Sequence, residues 1–268
     1  MKVAALQMVS TPDVNTNLES ARELLKQAAD AGAELAVLPE YFCLLGYKDT
    51  DKLAIAEPFG QGPLQDFLSG CAREFKLWIA GGTIPLTADT PDKVYNSTLV
   101  YDPAGQCVAR YDKMHLFCFD NGQESYDEAR VLTPGTQPVT FDLPSLDGHT
   151  WRVGLSICYD LRFPELYRAL AADLLLVPSA FTHTTGQAHW EVLLRARAIE
   201  NLACVLAAAQ GGLHVNQRRT WGQSMVVDAW GQVLASQAQG PGVVLAGLDK
   251  TSLTASRQQL PALDHRRL

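Results

Sequence analysis

The sequence predicts an α/β fold in which two sheets pack face to face with helices on the outside. Three observations carry the prediction. Strand-like and helix-like segments alternate along nearly the whole chain. The strands read as near-continuous apolar runs, as strands covered on both faces do. A passage in the first half, Ala33-Glu34-Leu35-Ala36-Val37-Leu38-Pro39-Glu40, returns in the second as Ala172-Asp173-Leu174-Leu175-Leu176-Val177-Pro178-Ser179. Both run helix, loop, strand, proline, which suggests two similar halves. In folds of this class, sites gather beyond strand ends.

The elements follow in order. Val3–Met8 reads as a strand. Asn15–Ala31 reads as a helix, with Leu18, Ala21, Leu25 and Ala28 on one face and Gly32 as its stop. Leu35–Leu38 is a short buried strand, Gly62–Phe75 a helix and Leu77–Gly82 a strand. Val94–Tyr101 and Gln106–Asp112 flank Asp102-Pro103-Ala104-Gly105, whose residue types suit a hairpin turn. Val153–Ile157 is a strand, and Pro164–Ala171 a helix opened by its proline. Leu174–Val177 is a strand, Ala188–Asn201 a helix and Leu202–Ala209 a strand. From Ser224 to Leu248, strands are split by Trp230-Gly231 and by Gly240-Pro241-Gly242.

Composition excludes several classes of function. The 268 residues are 47% hydrophobic, enough for one sizeable core. The 29 acidic and 22 basic side chains leave a formal charge of −7, which argues against a basic phosphate-tracking surface and against nucleic acid as a partner. Apolar runs such as Leu202–Ala209 fall well short of the roughly 20 residues that a membrane span needs. The apolar stretch at the start is too short for a signal-peptide core, so a soluble cytoplasmic protein is expected. Six cysteines, at 43, 71, 107, 118, 158 and 204, form no C-x-x-C pair. Scattered thiols of this kind are mostly reduced, buried and inert.

Dinucleotide-binding, P-loop, zincin and serine-elbow motifs are absent, and the histidines show no ligand spacing, so neither metal nor cofactor is expected. The sequon Asn96-Ser97-Thr98 lies in a strand-like run and reads as incidental. Three places are chemically odd. An apolar strand runs into Pro39-Glu40, another ends on Tyr111-Asp112-Lys113, and a third delivers Cys158 at a strand-to-helix turn. Each alone also fits a plain role: a solvated acid, a turn lysine, a core thiol. Together they make chemical sense. A thiol becomes a useful nucleophile beside a base. A carboxylate in a low-dielectric pocket can be that base near neutral pH. A lysine, with the Tyr159 backbone N–H as second donor, can hold the oxyanion formed on attack at a carbonyl. A pairing of cysteine with His115 or His189 as base stays open.

At these residues the chain resembles the nitrilase, or carbon–nitrogen hydrolase, superfamily. The matching stretches are Leu38-Pro39-Glu40, Arg110-Tyr111-Asp112-Lys113-Met114-His115-Leu116-Phe117 and Gly154 through Leu166 around Cys158. A fourth is Glu128-Ala129-Arg130-Val131-Leu132-Thr133-Pro134-Gly135. The resemblance implies a Glu40–Lys113–Cys158 triad, with Glu128 as a supporting catalytic carboxylate. It implies a four-layer α-β-β-α sandwich over residues 1–268, usually paired into a homodimer or higher homo-oligomer. Thr185-Gly186-Gln187-Ala188-His189-Trp190-Glu191 resembles the branch that holds both deaminated glutathione amidases and ω-amidases, and the Ala207–Gln210 stretch with the tail Leu260-Pro261-Ala262-Leu263-Asp264-His265-Arg266-Arg267 is more similar to the former. The expected activity is hydrolysis of the terminal amide of a small keto-acid amide to a carboxylate and ammonia through a cysteine thioester. An ω-amidase acting on α-ketoglutaramate and a silent binding scaffold are the alternatives. A keto-acid substrate carries carboxylates, which makes Arg162 a candidate ligand unless it pairs with Glu165 or Asp160. Phe181, Thr184 and Thr185 are candidates to line the pocket.

Overall fold

Alternation decides the layers. In β1 (Lys2–Gln7), Val3 and Ala5 join one apolar cluster while Ala4 and Leu6 join another, and all four are buried. A strand covered on both faces needs a layer on each side. The computed structural model describes residues 1–267 and supplies both layers. After β1 come α1 (Val14–Asp30), β2 (Leu35–Val37), α2 (Pro63–Phe75), β3 (Trp78–Ala80), β4 (Ile84–Thr87), β5 (Val94–Tyr101) and β6 (Cys107–Asp112). A small hairpin follows, β7 (Cys118–Asp120) with β8 (Ser125–Asp127). The second half holds β9 (Thr140–Pro144), β10 (Thr150–Leu155), α3 (Pro164–Leu170), β11 (Leu174–Leu176), α4 (His183–Asn201) and β12 (Cys204–Ala207). It closes with β13 (Ser224–Val227), β14 (Val233–Gln237), β15 (Gly242–Gly247) and α5 (Lys250–Gln259).

One sheet runs β15-β1-β2-β3-β5-β4 with β6 on β5, and the other runs β14-β13-β12-β11-β10-β9. Each has a parallel core of three strands, β1-β2-β3 and β10-β11-β12, flanked by antiparallel partners. The inner faces meet in one cluster, where Val3, Val37 and Ala80 share a core with Val153, Leu155 and Leu206. The outer face of the first sheet is covered by Ala21, Leu25 and Ala28 of α1 and Leu64, Leu68 and Ala72 of α2. Trp190, Leu194 and Ala198 of α4 cover the second. The layers are helix, sheet, sheet, helix, as the sequence predicts. No helix among the described residues is long and apolar enough to cross a membrane.

The internal echo is structural. β2 and β11 are the middle strands of the two parallel cores. Glu34 and Asp173 repeat the same backbone bonds, accepting from Trp78 N and Cys204 N and donating to Lys2 O and Arg152 O. Past the strands, Leu38 N donates to Ala80 O and Val177 N to Leu206 O, both at 3.0 Å. The two halves therefore point equivalent strand ends, Pro39-Glu40 and Pro178-Ser179, at the same region.

Some elements differ from expectation. α4 starts at His183, not Ala188, because Thr182 caps it by accepting from Thr185 N. His189-Trp190-Glu191 therefore lies in the second turn and does not open the helix. The segment Asp49–Ile55 forms a 3₁₀ helix, and α5, β4, β9 and the β7–β8 hairpin are additional. α5 buries only Leu253, so its sequence carries little helical periodicity.

Gly82 follows β3 with φ 53°, and a Cβ built there would lie 2.1 Å from the Pro39 carbonyl oxygen. The absent side chain is what lets the Glu40 loop sit against the sheet. Gly82→Ala is expected to destabilise the fold by about 3 kcal/mol. A clear drop in thermal midpoint checks this; an unchanged midpoint would show that the loop yields freely.

Candidate active site

Three strand ends deliver the three expected groups to one place. Glu40 follows β2, Lys113 follows β6, and Cys158 follows β10. All three are buried, at 1%, 1% and 8% exposure. Lys113 Nζ lies 2.9 Å from Glu40 Oε1 and 2.8 Å from Glu128 Oε2. Glu128 is held besides by the Tyr41 hydroxyl, at 2.9 Å, and by Phe117 N, at 2.7 Å. Glu40 accepts from Asn96 Nδ2 at 2.9 Å and from Ala180 N at 2.8 Å. The second bond crosses from one sheet to the other. With both carboxylates bonded to it, the lysine is fixed as a cation in a place where an unpaired charge would be very costly.

The electrostatics follow. Burial alone would lower the Lys113 pKa, but Glu128 and Glu40 hold it well above the ordinary lysine value. Burial would raise Glu128, but Lys113 chiefly holds it below the ordinary carboxylate range. Burial, then the charge of Glu40, push the Cys158 thiol well above its usual value, against the pull of Lys113. A thiol held this high would need a base in order to act as a nucleophile.

Cys158 has φ 50°, in the left-handed region that a side chain rarely adopts. The turn is held by Cys158 N donating to Pro178 O at 3.0 Å and Ile157 N to Asp160 Oδ2 at 2.8 Å. Residues Cys158–Arg162 form a 3₁₀ turn before α3 begins at Pro164. Tyr159 N–H lies in its first turn, where no preceding intrahelical carbonyl faces it. Buried Asp160 also accepts from the Tyr111 hydroxyl, at 2.7 Å, and from His115 N, at 3.0 Å. One carboxylate thus ties the cysteine turn to the segment that carries Lys113.

Two cavity lobes meet at Cys158. One is lined by Glu40, Tyr41, Lys52, Glu128, Tyr126 and Arg218, among others. The other is lined by Tyr159, Arg162, Phe181 and Thr185, with Cys158, Phe117, Ala180 and Thr182 common to both. Of the residues expected to line the pocket, Tyr159, Arg162, Phe181 and Thr185 do so. Thr184 does not: it is exposed on the first turn of α4 and donates to Glu124 Oε2 at 3.2 Å. Arg162 forms no ion pair with Glu165 or Asp160 among the described residues. Its guanidinium lies over the Phe181 ring at 5.5 Å and the Tyr159 ring at 5.8 Å. No histidine lines either lobe. His115 is bonded to Asp160 and stacked on Phe163, and exposed His189 reaches Arg162, so a cysteine–histidine pair is not formed.

Sequence reasoning missed Asn96, Tyr41, Lys52 and Arg218. Asn96 was visible only as an incidental sequon; its amide is buried against Glu40. A polar residue in an otherwise apolar strand was the signal available. Cys43 keeps a plain structural role, buried in the outer core with its thiol pushed up to about 12 by burial.

A carbon-nitrogen hydrolase family model matches residues 2–258. The chain is 43% identical over 269 residues to a deaminated glutathione amidase of Synechocystis, covering 98% of this chain and 97% of that one. The crystal structure of the Caenorhabditis elegans NitFhit protein superposes with a TM-score of 0.90 at 35% identity, covering 99% of this chain and 65% of that one. A mutant amidase of Nesterenkonia, which shows covalent addition of the acetamide moiety of fluoroacetamide at its active-site cysteine, superposes with a TM-score of 0.80 at 27% identity, covering 100% of this chain and 94% of that one. The fold, the buried thiol and carboxylates, and these likenesses converge: the chain belongs to the carbon–nitrogen hydrolase family and is an amidase.

Proposed function

We propose that the enzyme hydrolyses deaminated glutathione by a two-step acyl transfer in which Cys158 is the nucleophile. The observation that carries the mechanism is the convergence of a buried thiol, a hydrogen-bonded carboxylate and the lysine paired with it at one cavity. Glu40 takes the thiol proton as sulfur attacks the amide carbon. Lys113 Nζ and Tyr159 N–H hold the oxyanion. Glu40 then passes the proton to the departing amine, leaving a thioester, and activates the water that hydrolyses it. Glu128 keeps Lys113 charged and aimed.

The leaving group follows from the substrate. Glutathione is a tripeptide with no primary amide, so cleavage at its γ-carbonyl releases cysteinylglycine; ammonia leaves only from a primary amide such as α-ketoglutaramate. Both substrates donate the same keto-acid acyl group. The Arg162–Phe181–Thr185 lobe suits that group, with a guanidinium that forms no ion pair among the described residues available for its carboxylate. The likeness to deaminated glutathione amidases supports the larger substrate. The test is to incubate the enzyme with each amide and quantify keto acid and released amine. Higher kcat/KM on deaminated glutathione supports the reading; turnover of α-ketoglutaramate alone assigns an ω-amidase instead.

We place the enzyme in the cytoplasm, consistent with six free cysteines. A homo-oligomer would use the exposed apolar side chains of Val192 and Ile199 on α4, where Ile199 lies beside Gly231, the residue after exposed Trp230. Light scattering in solution checks this: a monomeric mass at micromolar concentration contradicts it.

A further inference from the structure

The two lobes do not contact the same chemistry. Glu40, the group that must protonate the departing nitrogen, lines the first lobe and not the second. The amine therefore departs along the first lobe, and the acyl group occupies the second. That first lobe carries two cations the mechanism does not use, Lys52 and Arg218.

Their surroundings single them out. Lys52 stands on the 3₁₀ helix Asp49–Ile55, and its Nζ lies 4.6 Å from the centre of the Tyr41 ring. Tyr41 is itself fixed, with φ 57° and its hydroxyl on Glu128. The ring thus props the ammonium at the cavity wall. Burial pulls the Lys52 pKa down, only partly offset by Glu128 and Asp49. Arg218 lies over the Tyr126 ring at 5.3 Å, with Asp49 3.5 Å from its Nη1. The carboxylates of the wall are already engaged. Glu40 and Glu128 hold Lys113, and Asp127 accepts from Ala129 N and Arg130 Nε. Among the described residues Lys52 forms no ion pair with any of them. A partly desolvated ammonium without a carboxylate partner is costly unless a ligand supplies one.

We propose that Lys52 and Arg218 form a subsite for the carboxylate of a peptide leaving group, and so select amides of carboxylate-bearing amines over primary amides. This rests on the amidase reading above. A dipeptide amine spans roughly 7 Å from nitrogen to carboxylate, so a cation on the wall of the lobe that Glu40 lines is placed to meet it.

The test uses two substrates with one acyl group, deaminated glutathione and α-ketoglutaramate. The readout is the ratio of their kcat/KM values. K52M and R218Q are each expected to lower that ratio about tenfold to a hundredfold, the worth of one charge-assisted contact. K52R should restore most of it. A third substrate, deaminated glutathione amidated at its glycine carboxyl, should lose the same factor on the unaltered enzyme and little more on K52M. That arm needs no variant to fold. Parallel losses on both amides, or indifference of the enzyme to the glycine carboxylate, would overturn the subsite and leave the amidase reading standing. Failure of the unaltered enzyme on both amides would overturn the reading and the subsite together.

Discussion

Cys158→Ala is expected to reduce amide hydrolysis by about 10⁴-fold or more, the scale seen when a covalent nucleophile is removed. The fold should survive. Alanine tolerates φ 50° as well as cysteine does, and the bonds that hold the turn come from Cys158 N, Ile157 N and Asp160, none of which uses the sulfur. Stability should change by about 1 kcal/mol or less. Steady-state assays, thermal melts and intact-protein mass spectrometry check the three parts. The unaltered enzyme, quenched during turnover, should carry the acyl mass; the variant should not. Near-normal activity in a folded variant would remove Cys158 from the mechanism.

Glu40→Gln is expected to cost about 10²–10⁴-fold in kcat/KM through loss of the base. It also does structural damage. Glu40 accepts from Asn96 and Lys113 on one oxygen and from Ala180 N on the other. A glutamine must turn its NH₂ group toward one of these donors and leave it unbonded. A stability loss of about 1–3 kcal/mol follows. The thiol gives an independent readout with a definite sign. Part of what holds the Cys158 pKa high is the negative charge of Glu40, and Lys113 acts the other way. Removing that charge leaves burial opposed by a freer ammonium. Thiolate absorbance should therefore appear at lower pH in Glu40→Gln than in the unaltered enzyme. An upward shift would mean that Glu40 does not face the thiol as a charge.

What could be read from the chain depended on how local the cause was. Glu40, Lys113 and Cys158 were legible because each ends an apolar strand, and a reactive group at a buried strand end is a local anomaly. β2 and β11 were legible as equivalents because the same backbone pairing selects the same vocabulary. Lys52 and Arg218 were not, because they lie 166 positions apart in the numbering and share a cavity only after Asp49–Ile55 and the loop before β13 come together. The start of α4 was hidden for another reason. His183-Thr184-Thr185-Gly186 is poor helix sequence, and only the Thr182 cap, with Gly186 packed against Trp221, lets the helix begin there. Arg162 shows the limit of reading charges by proximity in sequence. Asp160 lies two residues away, yet its oxygens are taken by Tyr111, Ile157 and His115, so the guanidinium rests on aromatic rings instead.

The bond from Ala180 N to Glu40 bears on how the enzyme comes into being. The base and the ammonium belong to the earlier part of the chain, the thiol and the amide that braces the base to the later part. Gln210, later still, donates to the Glu40 carbonyl at 3.2 Å. On the ribosome, Glu40 and Lys113 emerge well before Cys158; their bonds to each other, to Asn96 and to Glu128 belong to the first half, whereas the Ala180 and Gln210 braces come only with the second sheet. The complete cluster of thiol, carboxylate and ammonium therefore exists only once both sheets have docked.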